Sequence, residues 1–284
     1  MKKAILLPFI LAVIHSYAQD NIKVIIDSIT VEGKRMYQSE MASWYGTDIF
    51  LEAYKDKENI GGYFSYADGD TTRCIFFSKS TEPVVIGVMS FDDSYNIATA
   101  NTSFKERPFN KTEINLYSIR KKAFEIINSD DGNFFKSYAN TNYNLIPLIS
   151  NGIKKVYVLT GPQKTGIVIL GNDYLLNFND QNELINKKQL HQNIISMTYG
   201  EKMEDGKKIV GGVHTHLPET GEFITATDIC TLMLYAKFAG WEQHMVVSEH
   251  YMNIWNCKTN QLIAIPRESI EKSTKDQKKR NKND

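Results

Sequence analysis

The chain is poor in cysteine, although an exported compartment would permit a disulfide. There are three, Cys74, Cys230 and Cys257, and an odd number leaves at least one thiol free. None belongs to a C-x-x-C pair. Cys230 falls on an apolar helical run and Cys257 in a late strand, which is how buried hydrophobes are placed. Net charge is also lacking, with 33 Lys and Arg against 33 Asp and Glu. Whole-molecule electrostatics therefore give no reason to expect nucleic acid or an anionic membrane as partner. Beyond the N-terminus no run is apolar enough to span a bilayer, so no integral membrane segment is expected after it. Gly-rich phosphate loops, nucleophile elbows and Cys-His pairs are absent. Asp68, Asp70, Asp92 and Asp93 lack the Gly-and-Glu pattern of a calcium loop and read as turns.

The two ends of the chain are distinct. Lys2 and Lys3 precede an apolar run, Ala4 to Ile14, and Ser16-Tyr17-Ala18 offers small residues at the two positions that determine cleavage. This is the pattern of a signal peptide over residues 1–18, and it implies an exported protein, periplasmic or secreted. The last 18 residues, Arg267 to Asp284, hold seven Lys or Arg and four Asp or Glu, and read as a solvated, disordered tail. Between these ends we expect an N-terminal α+β region over 19–150 and a second α+β region over 151–266, with a boundary near Ser150-Asn151-Gly152.

Periodicity gives an α+β order with mixed sheets and a few helices. Strands are expected at Ile22–Val31, at Tyr63–Tyr66 and Arg73–Ser78 around an Asp68-Gly69 hairpin turn, and at Val84–Phe91. A short helix opened by Ser39 fits Tyr37–Tyr45. Thr112–Asn128 carries Leu116, Ile119, Ala123 and Ile126 on one helical face. Asn140–Asn144 reads as a turn. Lys154–Leu159, Gly166–Leu170 and Tyr174–Phe178 are strands, Glu183–Met197 a helix, and Ile209–Val213 a strand. A helix from Asp228 to a Gly240 cap and three closing strands complete the chain.

One stretch carries chemistry. The strand at Ile209–Val213 ends in His214-Thr215-His216, whose two imidazoles share a face because side chains alternate along a strand. After an eight-residue loop, Thr225-Ala226-Thr227-Asp228 opens a helix. Two imidazoles and a carboxylate can make a three-ligand metal site with one open position. Simpler roles exist for the same residues. Thr-x-x-Asp before an apolar run is also a helix capping box, and His214 and His216 could be hydrogen-bonded imidazoles at a strand end. His191, His244 and His250 stand alone at no metal-binding spacing and read as surface or structural residues.

The run Val213-His214-Thr215-His216 followed by Thr225-x-x-Asp228 resembles the JAMM or MPN metalloprotease motif. The strand, loop, helix and strands of the C-terminal half resemble that family's cytidine-deaminase-like layout. The resemblance implies zinc bound by His214, His216 and Asp228, a water positioned by Thr225, and a peptidase or isopeptidase acting on a protein or peptide. It covers roughly Lys154 to Ile265. The His216–Thr225 loop is one residue longer than usual, and the proline next to the second histidine is displaced to Pro218. The family's catalytic Glu is not identifiable. Gln163 stands about where it is expected, and an amide cannot carry the proton. Glu40 of the first half could supply a carboxylate only by folding over the site. The alternative is an exported, aromatic-rich binding protein, with 15 Tyr, 14 Phe and 3 Trp, that binds a partner without turnover. A carboxylic acid beside the metal would favour the enzyme, and a fourth protein ligand would favour the binding protein.

Overall fold

Asn151 and Gly152, with φ of +51° and +76°, form the turn of a hairpin in which Ser150 pairs with Ile153. Asn-Gly readily takes positive φ at both central positions of a tight turn, so the expected boundary lies within one sheet. A computed structural model describes residues 6–200 and 207–280. The hairpin's arms are β5 (Thr141–Ser150) and β6 (Ile153–Pro162). With β8 (Tyr174–Phe178) and β9 (Leu184–Gln189) they form an antiparallel sheet of order β5-β6-β8-β9.

The chain is α+β throughout. It begins with a long helix, α1 (Leu6–Ala53), where a strand was expected over Ile22–Val31. Val24, Ile25, Ile26, Ile29 and Val31 are locally strand-like, but no proline or turn signal breaks the run. Tertiary packing decides the outcome. Gly33, Met36, Ser39, Ala42, Ser43, Gly46 and Phe50 are buried at helical spacing. Most are small, so α1 packs closely. A Cβ added at Gly33 would come within 2.7 Å of Ile229, and one at Gly46 within 2.6 Å of Cys74. The first five residues of the expected signal peptide and the last four of the tail lie outside the described residues. No described helix is long and apolar enough to cross a membrane.

An antiparallel sheet follows, of order β1 (Ile60–Asp68), β2 (Thr71–Ser78), β3 (Val85–Phe91) and β4 (Asn101–Ser103). Its first hairpin turns at Gly69, φ +62°. One face packs on α1 through Cys74, Phe76, Ile86 and Phe91. The other meets α2 (Lys111–Asn128) through Phe64, Ile75, Val85 and Leu116. Further along α2, Ile119 and Ala123 cover the β6–β8 surface. Met36 of α1 joins Ile146, Tyr157, Leu159, Cys230 and Leu234 in one buried cluster, so the two halves of the chain share a core.

Two further expectations are corrected. Asn140–Asn144 is not a turn, because only Asn140 has positive φ (+60°) and β5 starts at Thr141. Glu183–Met197 is not a helix. The turn ending at Asn182, φ +61°, folds the chain back so that β9 pairs with β8. Ile194–Thr198, β10, then pairs with β7 (Ile167–Gly171). The helical spacing of Leu184, Leu190, Ile194 and Met197 was coincidental, and backbone pairing overrides it.

The last sheet has the order β11 (Gly211–Thr215), β12 (Gln243–Val247), β13 (Tyr251–Asn256) and β14 (Gln261–Pro266). β11 and β12 are parallel and are joined by α3 (Ala226–Ala239), which Thr225 caps and Gly240 ends with φ +70°. The charged tail is exposed, as its composition implies, but it is helical over Arg267–Arg280 (α4). The three cysteines are free thiols, with Cys74 and Cys230 buried.

Candidate metal centre

Parallel pairing with β12 fixes the direction of β11, and the His216 N–H extends it by donating to the Val247 carbonyl at 2.9 Å. His214 and His216 therefore project to the same side, toward the start of α3. There Asp228 is held by a capping box. Its N–H donates to Thr225 Oγ1 at 3.0 Å, and its Oδ2 accepts from the Thr225 N–H at 3.0 Å and hydroxyl at 2.8 Å. The capping role read from the sequence and the site role belong to the same two residues.

Asp228 is 1% exposed, His214 6% and His216 7%. His216 Nε2 lies 3.2 Å from His214 Nε2 and 3.3 Å from Asp228 Oδ2. His214 Nε2 lies 3.8 Å from Asp228 Oδ1. A third imidazole joins them. His191, 7% exposed, comes from the β9–β10 loop and places Nε2 at 3.4 Å from Asp228 Oδ2 and 3.4 Å from Thr225 Oγ1. One donor atom each from His191, His216 and Asp228 lie within 4.8 Å of one another, close enough to hold a metal ion. His216 and Asp228 thus form an edge flanked by His191 and by His214.

A second layer orients these rings. His214 Nδ1 lies 2.9 Å from Nε2 of His244. His244 is fully buried, and its ring has room because Gly212 faces it: a Cβ there would sit 3.0 Å from His244 Nδ1. His191 Nδ1 lies 3.3 Å from Asp173 Oδ2. Asp173 is buried at the β7–β8 turn, where its Oδ1 accepts from the Thr160 N–H at 2.9 Å. Gly171 makes that turn with φ +88°, so close to Asn193 O that a Cβ would come within 2.3 Å.

The electrostatics follow from burial and pairing. Desolvation opposes charge on His191, but Asp228 and Asp173 outweigh it and push its pKa up to about 10. Desolvation would raise Asp228, yet His191 and His214 hold it well below the usual carboxylate range. Burial lowers His214 against the pull of Asp228, and burial with the neighbouring His214 lowers His244 to about 4. Burial raises Asp173. Asp228 Oδ1 and His216 Nδ1 are buried without a hydrogen-bond partner. A buried carboxylate oxygen with no donor, 3.8 Å from an imidazole nitrogen, fits the donor set a metal ion would take.

The two carboxyl candidates from the sequence lie elsewhere. Glu40 accepts a hydrogen bond from Asn144 Nδ2 and lines a cleft beside Leu234 and Tyr235, roughly 9 Å along α3 from Asp228. Burial raises its pKa to about 7, with Arg120 and Asn144 pulling the other way. Gln163 is exposed and donates from Nε2 to Asn142 Oδ1 at 2.5 Å. His250 is exposed and holds Glu222 at 2.7 Å, as a surface histidine would. His191 and His244 are not isolated residues: both are buried parts of the centre. No local spacing announced either one, because His191 sits in a loop and His244 on the strand next to β11.

Comparison with protein-family models, with curated proteins and with solved structures finds no match to this chain. The fold and the site together define an α+β protein with a buried histidine–aspartate group able to hold a metal ion.

Proposed function

We propose that this chain is an exported zinc-holding protein, a hydrolytically silent relative of the JAMM architecture that binds a protein or peptide partner. One observation carries the reading. His191 is buried against the His216–Asp228 edge, close enough to offer a further ligand atom. Tetrahedral zinc with bonds of about 2.0–2.1 Å sets its donors roughly 3.3 Å apart. The separations of 3.3 Å between His216 and Asp228 and 3.4 Å between His191 and Asp228 support that metal, and His214, 3.2 Å from His216 and 3.8 Å from Asp228, would close in as the fourth ligand. Three imidazoles and one carboxylate would fill four positions, as in structural zinc sites. Low exposure of all four residues favours a closed site.

The test is metal analysis of protein purified without added metal, followed by X-ray absorption at the zinc edge. We expect one zinc per chain with three imidazoles and no peptidase activity. Two imidazoles with a water, and turnover of peptides, would overturn the reading.

A second reading, hydrolysis, is favoured by the Asp173–His191 pair. If His214, His216 and Asp228 alone held the zinc, His191 would be a proton carrier oriented by Asp173, in place of the missing Glu. Bound zinc would then supply an acidified water at the open position. His191→Ala separates the two: it removes a ligand in the first reading and only activity in the second.

A further inference from the structure

The two faces of the last sheet are covered very differently. Strand alternation sends Val246 and Trp255 to one side, where they are buried with Ile229 and Leu232 of α3. The residues between them point the other way. Pairing aligns Val213, Met245, Ile254 and Ile263 in one row across β11 to β14, and Thr215, Val247, Met252 and Ile265 in the next. All but Thr215 are apolar, and none of the eight is buried. Val213 is 53% exposed and Ile263 59%. None belongs to a core cluster of the described residues. A sheet with one face to water normally carries polar residues there, so this apolar face marks a contact surface.

We propose that this face is the interface of a homodimer, in which two copies stack sheet on sheet about a twofold axis. Charge selects the partner. A third row, Gly211, Gln243, Asn256 and Gln261, borders the other two, and no residue of the three rows is charged. A charged partner would find nothing to pair with. A second copy brings the same uncharged rows, and with 33 basic against 33 acidic residues the copies do not repel one another. A twofold axis uses the same face of both copies and closes, so no apolar face is left open for further addition. Stacked sheets lie about 10 Å apart, and the flexible Met245 and Met252 can adapt to fill that space. Four strands about 4.8 Å apart, with outward rows about 6.8 Å apart, offer roughly 300–400 Å². That is half or less of the about 800 Å² each partner contributes to a stable complex, so the dimer is weak and reversible. His214 points to the opposite side of β11, so the inference does not depend on the metal centre.

The test is sedimentation equilibrium of the full chain across micromolar concentrations. We expect a monomer–dimer equilibrium with a dissociation constant of about 10–100 µM. Ile263→Lys, at a position exposed enough to leave folding untouched, should weaken dimerisation about tenfold or more, because each copy would bury an unpaired ammonium. Ile254→Lys, nearer the centre of the face, should weaken it further. Circular dichroism and zinc content equal to those of the unaltered protein establish that each variant is folded. Ile185→Lys, 62% exposed on β9, should dimerise as the unaltered chain does. A monomer at every concentration, an equal loss in Ile185→Lys, or unchanged dimerisation in folded Ile263→Lys would overturn the proposal. So would a monomer that binds neutral phosphatidylcholine vesicles, which would make the face a membrane-contact surface.

Discussion

His214 Nδ1 and His244 Nε2 lie 2.9 Å apart, and a single proton must serve both nitrogens. With the His244 pKa lowered to about 4, its ring is neutral at physiological pH. If Nδ1 of His214 carries the proton, His214 Nε2 keeps its lone pair and faces His216 and Asp228. In that tautomer the contact orients His214 as a metal ligand. His244→Phe fills a similar space but cannot accept the proton. We expect zinc affinity to fall about 10–100-fold, the usual range for loss of an orienting partner, measured by competition with a chromogenic chelator. Unchanged affinity would show that His214 is oriented by packing alone.

The charge state of His191 makes metal binding pH-dependent. Without metal its pKa is about 10, so it is an imidazolium at pH 7, and a metal can take its nitrogen only by displacing the proton. Titrating zinc calorimetrically at pH 7 in buffers of different ionisation enthalpy should reveal about one proton released per zinc from this residue. Affinity should rise about tenfold per pH unit between pH 7 and 9. His191→Ala should abolish that release. Persistence of the same release in the variant would remove His191 from the ligand set.

Glu40 gives a stability signature of opposite sign to an ordinary ion-paired carboxylate. Its folded pKa of about 7 lies above the reference 4.5, so the folded protein holds more protons than the unfolded chain between those values. Stability is therefore full below about pH 4.5 and falls as pH rises toward 7. The ceiling is roughly 3 kcal/mol, and solvent screening at this partly exposed group makes about 1 kcal/mol more realistic. Urea unfolding of Glu40→Gln at pH 5 and pH 8 should show that this part of the pH dependence is gone. An identical slope in both proteins would show that Glu40 is not the group responsible.

Gly33 tests the contact between α1 and α3. A Cβ at this position would meet Ile229 Cβ and Cγ2 at 2.7 Å, so the helices must move apart or Ile229 must shift. Overpacking of this kind costs about 1–3 kcal/mol. Gly33→Ala, which elsewhere in a helix would stabilise, should lower the urea midpoint. Because Ile229 follows Asp228, zinc affinity should fall with it. A stabilised Gly33→Ala would mean that the helices have slack at this crossing.

Part of this was legible from sequence because it is local. The Asp68-Gly69 turn, the α2 periodicity, and the Thr225 cap and Gly240 stop of α3 each need only a few neighbouring residues. The His214–His216 pair and Asp228 were visible for the same reason: strand alternation and a helix start bring them to one place. What was hidden depends on distant partners. Val24 to Val31 became helix because a stripe running from Gly33 to Phe50 needed a continuous rod to bury it. Leu184 to Met197 became two strands because β8 and β7 offered open edges. His191 reaches Asp228 only once β9 and β10 are paired, and His244 reaches His214 only through the parallel β11–β12 register. A reader of spacing alone sees neither.

The long α1 sets a timetable for making the protein. Gly33 leaves the ribosome nearly two hundred residues before Ile229, the residue it is shaped to receive. At about 5–20 residues per second that is a wait of roughly ten to forty seconds. During it the α1 stripe can bury itself against β1 to β3 but not against α3. Such distant contacts make for slow assembly, so the metal centre, whose four histidines and Asp228 all lie beyond β9, is completed long after α1 is made.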